Sequence, residues 1–294
     1  MSPLIITESS NPKTTDIDLM NSLEIAQVIN LEDMKVAHAI QKVLPQIAQA
    51  IDAVSQGLSN GGRMAYFGAG TSGRLGVLDA SEIPPTFGAS PELIQAYIAG
   101  GDDALRHVID DAEDKKEFAF SDLQTFAPTD KDIVVVISAS GNALYGLTVL
   151  KEAQKIGCTT IAISSNPIAK AAKFADIFIN PIVGQEVITG SSRLKSGTAQ
   201  KMILNMISTG AMIRIGKTYK NYMIDVQQNN KKLIERSIRF ITEICGISKA
   251  DAQYYLEAGG NCVKTACVMA IKKCTKEEAE KILARHNGIL RKVI

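Results

Sequence analysis

Several residue types that mark particular classes of protein are scarce in this 294-residue sequence. Tryptophan is absent and aromatic residues make up 5%, so the chain offers little for stacking on nucleic-acid bases. The formal net charge of +1 provides no field that would attract nucleic acid or an anionic membrane. No apolar run is long enough to span a bilayer. We therefore expect neither nucleic acid nor membrane as a partner.

Histidine and cysteine are too few and too scattered to predict a metal site. None of the five cysteines lies in the CxxC pair that zinc sites commonly use. We interpret them as buried thiols of a reducing compartment. The N-terminal segment lacks the charged-then-apolar order of a signal peptide. These observations predict a cytoplasmic protein that needs no metal or other cofactor.

Short apolar runs bounded by turn residues predict the fold class. The first four runs are each followed by a helical pattern, and such alternation is typical of a parallel sheet buried on both faces. We predict an α/β protein with a doubly wound, five-stranded parallel sheet, whose ligands bind at the carboxyl ends of the strands. The predicted strands are residues 64–68, 93–98, 132–138, 158–164 and 175–180.

The segments on either side of the sheet predict helices. Residues 1–22 form a polar arm, and residues 23–58 have the apolar spacing of two helices, with Pro45 expected to kink the second. Residues 195–217 form a long apolar helix, buried against the sheet or in a homodimer interface. The predicted domains are an N-terminal arm with helices (1–58), the sheet domain (59–222) and a helical module (223–294). Within the module, helices are expected at 225–247, 249–257, 262–272 and 276–285.

The segment FGAGTSGR, which follows the first predicted strand, is typical of an anion-binding turn. Glycines let the backbone approach an anion, and the free N–H groups of the first helical turn point toward it. Gly70, Thr71 and Ser72 would form this turn, with the two hydroxyls as further donors. The next predicted strand continues into Ala99-Gly100-Gly101 rather than into an acidic residue that would bind a ribose, so a phosphate-ended small molecule fits better than NAD.

A second turn of this kind follows the third predicted strand. Ser138 and Ser140 lie at the start of the next helix, where their hydroxyls and several N–H groups converge on one point. A serine-rich turn by itself is usually a helix cap. Two such turns at the same edge of one sheet favour an anion site.

Two carboxylates are candidates for acid–base chemistry, Glu82 and Glu113. Glu82 would end the helix that starts at the first turn, with the following prolines leading the chain back toward the strand ends. A straight helix would place it about 15 Å from Ser72, so either the helix bends or Glu82 serves a site shared with another subunit. Glu113 lies in an acidic stretch expected to be helical, and the residues alone do not distinguish it from its acidic neighbours.

A third polar cluster precedes the long apolar helix. Its hydroxyls, glycines and cations are typical of either an elaborate helix cap or a wall of the phosphate site. Arg193 and Lys195 can offset a phosphate dianion, which favours a wall. The candidate wall residues are Ser191, Ser192, Arg193 and Lys195.

Taken together, these segments resemble a known family. GAGTSGRLGVLDASEIPPTFG, IAGGDDAL, DDAEDKKE, VVVISASG and TGSSRLKSGTAQKMILNMISTG are similar to N-acetylmuramic acid 6-phosphate etherases, and the match covers nearly the whole chain. The resemblance implies a sugar isomerase (SIS) type domain followed by a small helical, UBA-like module. It also implies a cytoplasmic, metal-free homodimer that releases D-lactate from its sugar phosphate substrate in the recycling of cell-wall sugar.

The resemblance also implies roles for individual residues. Glu82 would be the acid that assists lactate departure and Glu113 the base at C2 of the sugar. Thr71, Ser72, Ser138 and Ser140 would hold the phosphate. The chain departs from the family at residues 142–144, Asn-Ala-Leu, where relatives usually have Arg-Thr-Pro.

The residues by themselves are also consistent with two other functions. A non-catalytic sugar-phosphate sensor, similar to the glucokinase regulatory protein, would share the glycine and serine segments. Such proteins lack the carboxylate found here at Glu82, and they are much longer. An aldose–ketose phosphate isomerase would need the same phosphate site and a base, but the segment DASEIPPTFG argues against it.

Overall fold

The computed structural model describes residues 6–225 and 231–294. Contacts between Cα atoms divide the chain into two compact units. The first comprises the described residues up to Ser81 together with Glu92–Ser208, and the second comprises Glu82–Pro91 and the described residues from Thr209 onward. The domain boundaries predicted after residues 58 and 222 stay a prediction.

The first unit is built around the predicted five-stranded sheet, and all of its strand pairs are parallel. The strand order is β2-β1-β3-β4-β5. Each strand lies within a predicted run or coincides with it, which confirms the α/β fold class. The strands are β1 (Met64–Gly68), β2 (Ile94–Ile98), β3 (Ile133–Ile137), β4 (Thr159–Ile163) and β5 (Ile177–Ile179).

Alternating residues of the central strands bury opposite faces of the sheet. Ala65 and Phe67 of β1 belong to an apolar cluster with residues from α4 (Lys116–Phe126) and α5 (Leu144–Ile156). Tyr66 points to the other face, where its hydroxyl donates to Asp79 at 2.8 Å. Because both faces are covered, every residue of β1 and β3 is buried.

The predicted N-terminal helices are α1 (Ser22–Gln41) and α2 (Leu44–Ser59). The prediction that Pro45 kinks the second helix is wrong, because Pro45 lies in the first turn of α2. A proline there loses no helical hydrogen bond, since the N–H groups of the first turn have no intrahelical partner. The part of the predicted arm that the structure describes lies against residues 185–190: Thr14 donates to the carbonyl of Val187 at 2.8 Å. Residues 1–5 of the arm lie outside the described residues.

The helix after β1, α3 (Gly70–Phe87), is longer than the sequence indicated. Glu82 does not end it, and the prediction that the prolines turn the chain back at this point is wrong. Pro84 and Pro85 lie inside the last turns of α3. The helix closes where the N–H of Gly88 donates to the carbonyl of Pro84 at 2.9 Å.

The second unit is mainly helical, and its buried apolar residues form one cluster. The predicted helices between residues 249 and 285 are all present, while residues 226–230 of the helix predicted at 225–247 lie outside the described residues. No helix in the described part of the chain is long and apolar enough to cross a membrane. The remaining elements are α6 (Lys195–Arg214), β6 (Thr218–Tyr219), β7 (Tyr222–Met223), α7 (Lys231–Cys245), α8 (Lys249–Ala258), α9 (Val263–Lys272) and α10 (Lys276–Arg285).

Candidate active site

A cavity of about 480 Å³ lies at the carboxyl ends of β1 and β3 in the first unit. Both predicted anion turns contribute to it, and so does the loop that carries Glu113. The structure therefore brings together residues that are far apart in the sequence. The predicted site residues that line the cavity are Gly70, Thr71, Ser72, Glu113, Ser138, Ser140 and Ser192.

The turn after β1 is unusually tight. An added Cβ on Gly73 would lie 2.6 Å from the carbonyl oxygen of Gly68, so only glycine fits at that position. The close approach lets α3 start at Gly70, so that only Ala69 lies between the end of β1 at Gly68 and the helix. The first turn of α3, where helical N–H groups have no partner within the helix, therefore lines the cavity, as an anion site requires.

Ser72 has a partner that the sequence did not indicate. Its hydroxyl donates to Oε1 of Gln200 at 3.0 Å, and both side chains are buried. The hydroxyl proton, which we expected to point at a phosphate, is thus directed into the protein toward α6.

The serines of the second turn accept hydrogen bonds from the protein, whereas Ser72 of the first turn donates one. Ser138 Oγ accepts from the N–H of Gly141 at 3.1 Å, and Ser140 Oγ accepts from the N–H of Asn142 at 3.2 Å. The two hydroxyl oxygens lie 3.5 Å apart. Both oxygens accept within the turn and one hydroxyl can donate to the other, so at least one of the two protons remains available to a ligand in the cavity.

Glu113 lies in a short 3-10 turn, Ala112–Asp114, and not in the longer helix expected from the sequence. Partial burial, followed by the negative charges of Asp114 and Glu8, raises the pKa of Glu113 above its ordinary value. Like Glu113, Glu8 lines the cavity. A carboxylate with a raised pKa is a stronger base, which suits it to proton abstraction near neutral pH.

Arg74 of the GTSGR segment holds the loop that leads to Glu113. Its guanidinium donates to the carbonyls of Leu105 and His107 at 3.0 and 3.1 Å. Residues 108–114, directly after these carbonyls, form one wall of the cavity. The arginine therefore fixes one wall of the site, and its guanidinium is hydrogen-bonded to backbone carbonyls.

Known proteins are similar to this sequence across nearly its whole length. A profile of the glucokinase regulatory protein N-terminal SIS domain matches residues 35–154. The N-acetylmuramic acid 6-phosphate etherase of Edwardsiella ictaluri is 50% identical over 287 residues, which cover 98% of this chain and 96% of that protein. The N-acetylmuramic acid 6-phosphate etherase 2 of Vibrio parahaemolyticus is 49% identical, with the same coverage. This chain belongs to the N-acetylmuramic acid 6-phosphate etherase family.

A solved structure shares the fold of this etherase-family chain. Phosphoheptose isomerase from Francisella tularensis has a TM-score of 0.50 and 21% sequence identity. The alignment covers 65% of this chain and 98% of that one. At this identity the likeness supports the fold alone.

The two glutamates implied by the etherase resemblance are placed differently. The residues that line the cavity all come from the first unit, whereas Glu82 belongs to the second. Because α3 is continuous from Gly70 to Phe87, Glu82 lies about 15 Å along the helix from Ser72. The side chain of Glu82 is exposed.

The departure from the etherase family at residues 142–144 has a local structural account. Oδ1 of Asn142 accepts from the N–H of Lys170 at 3.0 Å, so this side chain ties the turn to the next loop. Ala143 precedes α5 without a side-chain cap, and it lines the cavity. A hydroxyl at position 143 would therefore face the ligand.

The predicted wall residues before α6 divide into two groups. Ser192 lines the cavity, whereas Ser191, Arg193 and Lys195 do not. Lys195 is 1% exposed and its ammonium contacts Glu32 at 2.6 Å. The start of α6 is capped by the buried carboxylate of Glu186, which accepts from the N–H groups of residues 195 and 196, both at 2.9 Å.

Sequence reasoning missed the functional neighbours that come from distant segments. Glu8 lies outside every quoted segment, and Gln200 lies in the segment TGSSRLKSGTAQ with nothing to mark it as a neighbour of Ser72, so each reaches the site only through the tertiary fold. Arg74 lies within the GTSGR segment, so the sequence marks it. The segment does not distinguish an arginine that contacts the ligand from one that contacts the protein. Among the described residues, no group of three or more His, Cys, Asp or Glu side chains could hold a metal ion.

Proposed function

We propose that this protein cleaves the D-lactyl ether of N-acetylmuramic acid 6-phosphate, giving N-acetylglucosamine 6-phosphate and D-lactate. The observation that carries the proposal is the match to etherases over nearly the whole chain at about 50% identity. A cavity lined by both predicted anion turns and by Glu113 supports it. The setting is the recycling of cell-wall amino sugar in the cytoplasm, which suits five free cysteines.

The phosphate binds between the two turns. The N–H groups at the start of α3 face it, and Thr71 and Ser72 lie in the same turn. Ser138 and Ser140 supply hydroxyl protons from the opposite side. The dianion is thus held by neutral donors, because the nearby cations Arg74 and Lys195 are already engaged.

Glu113 acts as the base. In the open-chain form of the sugar, the aldehyde at C1 makes the proton on C2 acidic. Glu113 removes that proton, the C3–O bond to lactate breaks, and the electron pair forms a C2–C3 double bond. An acid protonates the departing lactate oxygen. Water then adds at C3 while C2 is reprotonated, so the net reaction is hydrolysis of the ether.

Glu82 acts as the acid from a second copy of the chain. An unbroken α3 separates it from the cavity turn of its own copy by about 15 Å, which favours a site shared across a homodimer. Leu78, one turn earlier on the same helix, is 50% exposed. Further exposed apolar residues lie on or just before α1, and they support an interface between copies of the chain: Leu19, Leu23, Leu31 and Met34.

A lactate assay tests the function directly. Purified protein with N-acetylmuramic acid 6-phosphate and no added metal is expected to release D-lactate, and Glu82→Gln and Glu113→Gln are each expected to abolish release. In ¹⁸O-water the label should enter the hydroxyl at C3 of the sugar, because the C3–O bond breaks. Folded wild-type protein that binds the sugar phosphate without releasing lactate would favour the sensor function.

Mixing the two inactive variants tests the shared site. After subunit exchange, each mixed dimer contains one site with both wild-type glutamates, so about a quarter of wild-type activity should return. No recovery from a mixture that demonstrably exchanges subunits would place both glutamates in one copy.

The pH profile tests the role of Glu113. The base must be deprotonated, so the rate should fall with decreasing pH through a pKa above the ordinary glutamate value of 4.5. Glu8→Gln removes one of the negative charges that raise this pKa, and the acid limb should therefore move to lower pH. If the acid limb does not move in Glu8→Gln, the group that titrates there is not Glu113.

A further inference from the structure

The hydrogen bond between Ser72 and Gln200 connects the turn at Gly70–Ser72 to α6, a helix that is distant in the sequence. The two residues are separated by 128 positions, and their side chains are 7% and 1% exposed. An added Cβ on Gly197 would lie 3.6 Å from Cγ2 of Thr71. The first turns of α6 therefore pack directly behind the anion turn at the start of α3.

The amide of Gln200 is only half satisfied in this arrangement. Its Oε1 accepts from Ser72, whereas its Nε2, also buried, has no hydrogen-bond partner in the described part of the chain. Unpaired buried amide donors are costly and uncommon in folded proteins. Four residues earlier on α6, the buried hydroxyl of Ser196 is unpaired as well. The packing behind the turn thus retains donors that the protein itself does not use.

Rotation of the Gln200 amide by half a turn would exchange its two ends. Nε2 would then donate to Oγ of Ser72, and the Ser72 proton would be released to point into the cavity. Ser72 has one proton and two lone pairs, so it can donate to Gln200 or to a ligand, but not to both. The direction of this one proton depends on which end of the amide faces it.

We propose that Gln200 is a positioning residue that sets the direction of the Ser72 hydroxyl, with its amide inverting when a phosphate dianion occupies the cavity. This inference rests on the proposed function, in which the turn at Gly70–Ser72 holds the phosphate. Without an anion, the amide oxygen keeps the Ser72 proton inside the protein. With a dianion bound, the inverted amide supports Ser72 as a donor, and a formerly unpaired donor gains an acceptor.

The test measures binding of N-acetylglucosamine 6-phosphate and the kinetics of lactate release. Gln200→Leu should weaken binding and raise KM by about three- to ten-fold, the effect of one weakened bond to a charged group, with kcat nearly unchanged. Gln200→Glu can accept from Ser72 but cannot donate to it when ionised, and it adds negative charge. It should weaken binding by more than about ten-fold.

A double variant separates positioning from packing. If Gln200 acts through Ser72, adding Gln200→Leu to Ser72→Ala should cause no further loss of affinity. Equal losses in both backgrounds would overturn the proposal in favour of simple packing. Gln200→Met, which is closer in shape, should reproduce the leucine result. Unchanged KM in both folded variants would also overturn it.

A matched control uses Gln46, a half-buried glutamine whose side chain also has a buried, unpaired atom. Oε1 of Gln46 in α2 is likewise buried and unpaired, but Gln46 does not line the cavity. Gln46→Leu should leave KM unchanged, and a similar rise in KM there would overturn the specific role of Gln200. Failure of the wild type to bind the sugar phosphate would refute the proposed function itself, which distinguishes the two failures.

Discussion

After β1 the chain enters α3 with one residue between strand and helix, whereas six residues separate β3 from α5. The short first turn is closed by the approach of Gly73 to Gly68, and its serine is bonded to Gln200 on α6. The longer second turn is closed by its own serines, which accept from N–H groups two and three residues ahead.

The difference concerns how each turn is stabilised. The first turn depends on the position of α6, so its geometry is a property of the tertiary fold. The second turn is stabilised by its own serines and by bonds to the loop after β4, where the side chain of Asn166 donates to the carbonyl of Ser140 at 2.8 Å. Damage to the start of α6 should therefore affect the first turn and spare the second.

The largest expected effect comes from the buried ion pair at the start of α6. Glu32→Gln would leave the Lys195 ammonium, which is 1% exposed, without a carboxylate partner. Breaking a buried pair in this way costs about 3–5 kcal/mol of unfolding free energy, measurable by urea denaturation. Glu152→Gln in the exposed pair with Lys155 is the control, and its expected cost is below about 1 kcal/mol. Equal costs would contradict the role of the buried pair.

The same pair gives a pH dependence. Burial alone would raise the pKa of Glu32, but the ammonium groups of Lys195 and Lys35 outweigh it and lower that pKa from 4.5 to about 2. A lowered pKa contributes stability that is complete above about pH 4.5 and is lost as pH falls toward 2. Acid unfolding of the wild type should be steep in this window, and it should be shallower in Glu32→Gln.

Adding a methyl group to the first turn should have the next largest effect. In Gly73→Ala the new Cβ would lie 2.6 Å from the backbone oxygen of Gly68, which cannot move without opening the turn. We expect a loss of about 2–3 kcal/mol in unfolding free energy together with weaker phosphate binding. Gly197→Ala, where the nearest atoms are at 3.6 Å, is the control in the same packing region and should not destabilise the protein.

The corresponding substitution in the second turn should be partly rescued by a second substitution. In Gly141→Ala the new Cβ would lie 2.5 Å from Cβ of Ala169 and 2.7 Å from Oγ of Ser164, so side chains cause the clash. Adding Ala169→Gly should remove part of the loss and leave about 1–2 kcal/mol from the left-handed backbone at φ 63°. A double variant no more stable than Gly141→Ala would show that the strain comes from the backbone or from Ser164, and not from Ala169.

The smallest expected effect is a gain. Ala143 precedes α5 with extended backbone and no side-chain cap. Ala143→Thr should cap the helix and raise the unfolding free energy by about 0.5–1 kcal/mol. Its hydroxyl would also face the cavity and tighten binding of the sugar phosphate by about five-fold, or roughly 1 kcal/mol. Ala143→Val is the shape-matched control, and tightening by valine would rule out the hydroxyl as the cause.

Much of the fold could be predicted from the sequence because its signals are local. The apolar runs predicted the strands, and two glycine- or serine-rich segments after them predicted turns at one edge of the sheet. The length of α3 could not be predicted in this way, because prolines usually end a helix. In α3 the chain keeps its helical path through Pro84 and Pro85 up to Phe87.

The candidate site was predicted only where its residues belong to such local segments. Thr71, Ser72, Ser138 and Ser140 stand in turns whose chemistry is visible in a few letters of sequence. Lys195 stood in a similar segment, yet its ammonium contacts Glu32, 163 positions away. Nothing local distinguishes a lysine that will be buried against a carboxylate from one that will face a ligand.

The sequence by itself determined the α/β class, the order of strands and helices, and the two turns at the carboxyl ends of β1 and β3, because each depends on the preferences of neighbouring residues. The tertiary structure alone decided that Gln200 faces Ser72, that Glu8 lies beside Glu113, and that Lys195 is taken by Glu32. These are contacts between distant segments, and their partners are selected by the packing of whole helices against the sheet. The direction of a proton or the pKa of a carboxylate follows from that packing.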